Sequence, residues 1–247
     1  VAAQVYFIAE RKRPMIREDI IARHPLRHLG LQGDELLGEG AFGAVMARAG
    51  VGKTALLVQL ALNAMVRGKR VLHVSMNDPV AKVALWYEEI FSLLAAPYPS
   101  ERKALWEEIL PLRFIMTFKV EGFSAATFEE RLNDLIIPGI FKPDLVLIDG
   151  MSFETAPRDD LSAVKEMARA QKVRAWFTVP IHRHQETGRA GIPLPLLPVK
   201  DLFDLVLLMA TEAGAIRIRV LKGPEGMGET PTLFLDPSSL LVMDEAS

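Results

Sequence analysis

The chain has 247 residues, 50% hydrophobic and 24% charged, enough apolar material for one large core and a common size for a single α/β domain. A formal charge of −2 excludes a general polyanion binder, which needs a clustered excess of Lys and Arg, and the lack of cysteine excludes disulfide and thiolate-metal frameworks and fits a reducing compartment. No apolar run reaches the roughly 18 residues of a membrane helix, and Val5-Tyr6-Phe7-Ile8-Ala9 is too short for a signal core, so a soluble cytoplasmic protein without a membrane partner is expected.

Residues 1–37 read as an N-terminal adaptor and 38–247 as the main domain. Arg11, Lys12, Arg13, Arg17, Arg23 and Arg27 make the adaptor basic, as a solvated helical face or a flexible arm. The sequence starts at Val1 and its first methionine is Met15, so the natural N-terminus is expected to be missing. Glycines from Gly30 to Gly40 mark turns into a first buried strand, Gly43 to Met46. After the loop Ala47 to Thr54, a helix over Ala55 to Met65 ends at Gly68. Arg70 to Ser75 is a strand; Val80, Val83, Ala84, Tyr87, Phe91 and Leu94 then recur at helical spacing.

A further helix, Ser100 to Leu110, is expected to take Ser100 as its cap, and Arg113 to Phe118 is the next strand. Thr127-Phe128-Glu129-Glu130 offers a capping box for a helix ending near Pro138. The continuous aliphatic run Leu145 to Ile148, closed by Asp149, is what a strand covered on both faces of a parallel sheet looks like. A helix from about Leu161 to Lys172 and a strand Arg174 to Val179 continue the alternation. Gln185 to Val199, rich in Pro and Gly, reads as a long loop. Leu205 to Met209, a turn through Glu212-Ala213-Gly214, and the alternating Ala215 to Leu221 predict a hairpin, with Thr232 to Leu235 and Leu240 to Val242 finishing the sheet edge.

Ala47-Arg48-Ala49-Gly50-Val51-Gly52-Lys53-Thr54 is a Walker A loop with alanine in the first glycine position, in the strand-to-helix context that the motif requires. Backbone N–H groups over Ala49, Gly50, Val51, Gly52, Lys53, Thr54 and Ala55 are expected to wrap the phosphates of ATP, with Lys53 on the terminal phosphates and Thr54 on Mg2+. Asp149, closing its aliphatic strand, is the matching Walker B acid and the second magnesium-holding residue.

With Asp34-Glu35-Leu36-Leu37-Gly38-Glu39-Gly40 before the first strand, Val74-Ser75 ending the second, and Lys222-Gly223 after the hairpin, these elements resemble the RecA/KaiC family of P-loop ATPases over roughly residues 30 to 225. The resemblance implies a RecA-like α/β fold: a mostly parallel twisted sheet flanked by helices, with an antiparallel C-terminal extension. It also implies ATP bound between subunits of a ring or filament, hence a homo-oligomer in which Lys222 reaches a neighbour's γ-phosphate. Family members carry a water-activating glutamate after the second strand, and this chain has Met76-Asn77-Asp78-Pro79 there. Asn77 cannot take a proton at neutral pH. Asp78 is the candidate base, beside Lys53 and Lys222 as the other catalytic residues; equally, Asn77 and Asp78 suit a turn into the next helix. A polar γ-phosphate sensor is expected after the fifth strand, at His182 or Gln185.

His182-Arg183-His184 lacks a third ligand for a metal site. Glu186 to Lys200 carries two cations, Arg189 and Lys200, and no aromatic to stack on bases, which counts against a helicase. The expected function is therefore ATP binding with slow hydrolysis, coupled to assembly or to regulation of a partner protein of unknown identity. The alternatives are a non-hydrolysing nucleotide-sensing scaffold, whose states differ in the Gln185 to Val199 loop, and a DNA-dependent recombination or helicase-type ATPase using the basic segment.

Overall fold

The computed structural model describes residues 15–29, 37–118, 123–153, 158–181, 192–212, 214–224 and 232–243. Its strands are β1 (Phe42–Ala47), β2 (Val71–Ser75), β3 (Arg113–Thr117), β4 (Leu145–Asp149), β5 (Arg174–Pro180), β6 (Leu205–Glu212), β7 (Ala215–Lys222), β8 (Leu233–Leu235) and β9 (Val242–Met243). They form one nine-stranded sheet in the order β3-β2-β4-β5-β1-β6-β7-β8-β9. From β3 to β6 all neighbours pair in parallel, and β7, β8 and β9 each add antiparallel to the strand before.

The helices are α1 (Ile16–Ala22), α2 (Lys53–Val66), α3 (Val80–Leu94), α4 (Arg102–Ile109), α5 (Ala125–Ile136) and α6 (Arg158–Gln171). Strand period decides how they are shared between the two faces. Val45 and Ala47 of β1, with Leu145 and Leu147 of β4, face a core built with α1, α2, α3 and α4. Phe42, Ala44 and Met46, with Val146 and Ile148, face a second core built with α5 and α6. Both faces are therefore apolar, which is why these strands read as unbroken hydrophobic runs. Helix α2 is buried almost all round, with Leu56, Leu57 and Leu62 fully inaccessible; truncating one of them to Ala costs about 2–5 kcal/mol.

Local chemistry moves some of the expected boundaries. The α5 cap is Ser124, whose Oγ accepts from the Thr127 amide at 3.1 Å, and not Thr127 itself. Helix α4 starts at Arg102 behind Glu101, and Ser100 does not cap it. α2 begins two residues early, at Lys53, directly after the left-handed Gly52. Within the predicted long loop, residues from Leu197 enter a 3-10 helix (Leu197–Leu202), because Leu196 and Val199 are buried against the second core.

The described part of the basic segment packs on the main core. Ile16 and Ile20 are buried there, and Asn63 Nδ2 of α2 donates to the Ile20 carbonyl at 2.8 Å. Among the described residues no helix is long and apolar enough to cross a membrane.

Candidate functional site

The chain leaves β1 toward α2 on one face and leaves β4 toward α6 on the other, with β5 lying between these two strands. Their C-terminal ends thus border a crevice where connections diverge, the usual ligand position in open α/β sheets. The segment Ala47 to Thr54 forms one wall. Gly50 has φ +78° and Gly52 φ +100°, conformations that a side chain would strain, so the two glycines let the loop curl. Gly52 is the N-cap of α2 and supplies no side-chain cap; the first-turn N–H groups of this helix have no intrahelical partner and point out of its end.

Lys53 folds back over the loop, its ammonium donating to the carbonyls of Ala47 and Arg48, each at 2.9 Å. Burial lowers its pKa, while the nearby Asp149 carboxylate raises it. Thr54 Oγ1 donates to Asp149 Oδ2 at 2.7 Å. The other carboxylate oxygen, Oδ1, accepts from Thr178 Oγ1 at 2.6 Å, and that hydroxyl accepts in turn from the Gly150 amide at 2.7 Å. Asp149 is thus fixed from the first turn of α2 on one side and from β5 on the other. A hydroxyl and a carboxylate are both hard oxygen ligands, the donor chemistry that a small divalent cation takes. Among the described residues, no group of three or more His, Cys, Asp or Glu side chains gathers to hold a metal.

The remaining predicted residues are dispersed. Asn77 follows β2 and its Nδ2 donates weakly to the Gly150 carbonyl at 3.4 Å, so it faces the end of β4. The Asp78 amide donates to Ser75 Oγ at 3.0 Å, and its carboxylate pairs with Lys82 Nζ of α3 at 2.8 Å. Lys222 ends β7 opposite Val206 near the start of β6, at the other end of the strands from the loop, and its ammonium donates to the Lys200 and Phe203 carbonyls. Within one chain it does not join Lys53. His182 and Gln185 lie outside the described residues.

Three residues at the site escaped the sequence reading: Thr178, His73 and Gln59. Thr178 and His73 sit inside the predicted strands Arg174 to Val179 and Arg70 to Ser75, and a polar residue among the apolar positions of a core strand needs an internal partner, which was the available signal. His73 is fully buried, with Nδ1 3.1 Å from the Tyr87 hydroxyl and Nε2 3.9 Å from Asp149 Oδ2. Gln59, on α2, donates to the Leu240 carbonyl at 2.7 Å and accepts from the Val242 amide at 3.1 Å, fastening the C-terminal strands beside the loop. Leu240 consequently lies 3.4 Å from where a Cβ on Gly52 would stand.

In comparison with known proteins, no family model matches the chain and no curated protein is significantly similar to it.

Proposed function

We propose that the chain is a RecA/KaiC-like P-loop protein that binds ATP with magnesium and hydrolyses it slowly, coupling nucleotide state to assembly of its own copies or to regulation of a protein partner. The observation that carries this reading is the Thr54–Asp149 contact at 2.7 Å. It joins a glycine loop ending in Lys53 to an acid on a strand two places away in the sheet. Loop amides and the α2 N-terminus would take the phosphate oxygens. Lys53 would exchange two backbone carbonyls for phosphate, a stronger charge-assisted pairing. Magnesium, when bound between Thr54 and Asp149, supplies neutralising charge and a fixed phosphate geometry.

A second reading, a scaffold that binds ATP without turnover, is favoured by one observation: the Asp78 carboxylate is engaged by Lys82 and Asn77 carries no base. Two features weigh against DNA dependence. Arg17 and Arg23 of the basic segment are paired with Glu108 and Asp19. Arg27 donates to the Ala22 carbonyl at 3.0 Å.

Calorimetry of ATP binding, followed by hydrolysis with and without single-stranded DNA across a range of protein concentrations, tests the proposal. Binding with slow, concentration-dependent and DNA-insensitive turnover is expected. Binding without turnover at any concentration selects the scaffold, DNA stimulation selects the motor, and no ATP binding overturns all three.

A further inference from the structure

A histidine in the middle of β2 lies between two apolar layers, where its ring nitrogens cannot reach water. Its Nδ1 meets the hydroxyl of Tyr87, itself fully buried on α3, at 3.1 Å. Its Nε2 has no hydrogen-bond partner among the described residues and lies 3.9 Å from Asp149 Oδ2. Burial pushes the imidazole pKa down, against the pull of Asp149, and pushes the phenol up, so both groups are neutral at pH 7.

A neutral imidazole carries one N–H, and its surroundings choose which nitrogen holds it. With the proton on Nδ1, the Nε2 lone pair would face a carboxylate, a repulsive arrangement in a medium of low dielectric. With the proton on Nε2, Tyr87 donates to Nδ1 and the Nε2–H faces Asp149. The Arg113 guanidinium, 4.7 Å over the Tyr87 ring, favours this direction by making the phenol a better donor. Tyr87 and His73 then form a line of donors running from α3 to the Asp149 carboxylate, the acceptor beside Thr54.

We propose that His73 is a positioning residue for Asp149, presenting its Nε2–H to the carboxylate and fixing that carboxylate for magnesium, with Tyr87 setting the tautomer. The proposal rests on the reading of this crevice as an ATP and magnesium site. Donors that orient metal-holding groups typically change metal affinity by about 10- to 100-fold when removed. His73 acts on the acid and has no contact with the nucleotide, so its removal should appear in the magnesium dependence alone.

The test uses the full chain, with ATP affinity measured in magnesium and in EDTA. His73→Leu is expected to cut the gain in affinity that magnesium gives by about tenfold and to leave the EDTA value unchanged. His73→Gln, whose amide nitrogen can occupy the place of Nε2, is expected to restore most of the gain. Nitrogen-15 NMR of the imidazole is expected to find the Nε2–H tautomer, with Tyr87→Phe shifting the balance toward Nδ1–H and losing part of the magnesium gain. An Nδ1–H tautomer in the wild type overturns the proposal, as does a folded His73→Leu protein that keeps the full gain. Should His73→Leu fail to fold, Tyr87→Phe decides, and an unchanged gain and tautomer there overturns it. If the wild type binds no ATP, the reading of the site falls and this proposal with it; if it binds ATP with the normal gain in every variant, this proposal alone falls.

Discussion

The ammonium of Lys53 lies 2.9 Å from the carbonyl of Ala47, so the lysine braces the loop it belongs to. The sequence offers no obvious partner for this charge in the absence of phosphate; the structure provides two backbone acceptors. Lys53→Ala is expected to weaken ATP binding by at least tenfold, since a point charge directed at the terminal phosphates is lost. The fold should survive, because the buried Ala47 carbonyl still accepts from the Ile181 amide at 3.1 Å and Arg48 is exposed, so its carbonyl can turn to water. Calorimetry on a variant with wild-type circular dichroism checks this, and unchanged affinity would remove Lys53 from the site.

Asp149→Asn is expected to lower magnesium-dependent ATP affinity by about tenfold or more while changing the EDTA value far less, because in the proposed site the acid would act through the cation. The carboxylate accepts from two hydroxyls, Thr54 and Thr178. An amide keeps one acceptor oxygen and offers a donor in place of the other, so one threonine must turn its proton away. Thr178 already accepts from the Gly150 amide, which leaves Thr54 the freer to rotate. If EDTA changes wild-type and variant affinities equally, Asp149 is a strand-end residue that fixes the sheet and nothing more.

The parallel core and its antiparallel hairpin were legible because period and continuity of apolar residues encode them. Leu145 to Ile148 requires cover on both faces, and Ala215 to Leu221 alternates as an antiparallel strand with one apolar face does. Gly50, Gly52, Lys53 and Thr54 were legible from spacing. The partners of Asp149 were not. Thr178 and His73 are about 30 and 75 residues from it, and which strands lie next to β4 is a property of the sheet order, which no local pattern carries. Caps failed for a related reason. Ser124 and Thr127 both have the chemistry of a cap, and the extended backbone that a cap needs falls at Ser124, with φ −139° and ψ 162°. The position of Lys222 follows from the antiparallel turn at β6–β7, which sends the end of β7 away from the loop.

Stability should depend on pH through His24. Burial, with Arg67 and Arg27 nearby, pulls its imidazole down to about 4. Its Nδ1 accepts from the Leu26 amide at 3.1 Å, a bond that protonation removes. The folded value is below the ordinary value of about 6.5, so the unfolded chain takes the proton first. Stability is therefore fully present above pH 6.5 and declines as pH falls toward 4, by about 3 kcal/mol from this residue. Denaturant titrations at pH 7, 5.5 and 4.5 should show a smaller decline in His24→Gln than in the wild type. Equal declines would assign the acid sensitivity elsewhere, with buried His73 the next group to examine.

Asn77→Glu is expected to raise ATP hydrolysis by at least tenfold. The residue stands after β2, next to β4 in the sheet, and its side chain reaches across to the Gly150 carbonyl at the end of the strand that carries Asp149. A glutamate there loses the amide donor and is repelled by that carbonyl, which turns its carboxylate toward the crevice. General-base positioning contributes roughly 10²- to 10⁴-fold, so even imperfect geometry should rise above a slow background. Asp78 is the natural competitor for the role, but its carboxylate is held by Lys82 at 2.8 Å and would have to leave that pair to reach a water. Steady-state rates for the wild type, Asn77→Glu and Asp78→Ala at matched oligomer concentration separate the two. Fast wild-type turnover abolished by Asp78→Ala would make Asp78 the working base one position along. If neither the wild type nor Asn77→Glu hydrolyses ATP once an oligomer is confirmed, position 77 does not reach the water, and the non-hydrolysing scaffold becomes the better account.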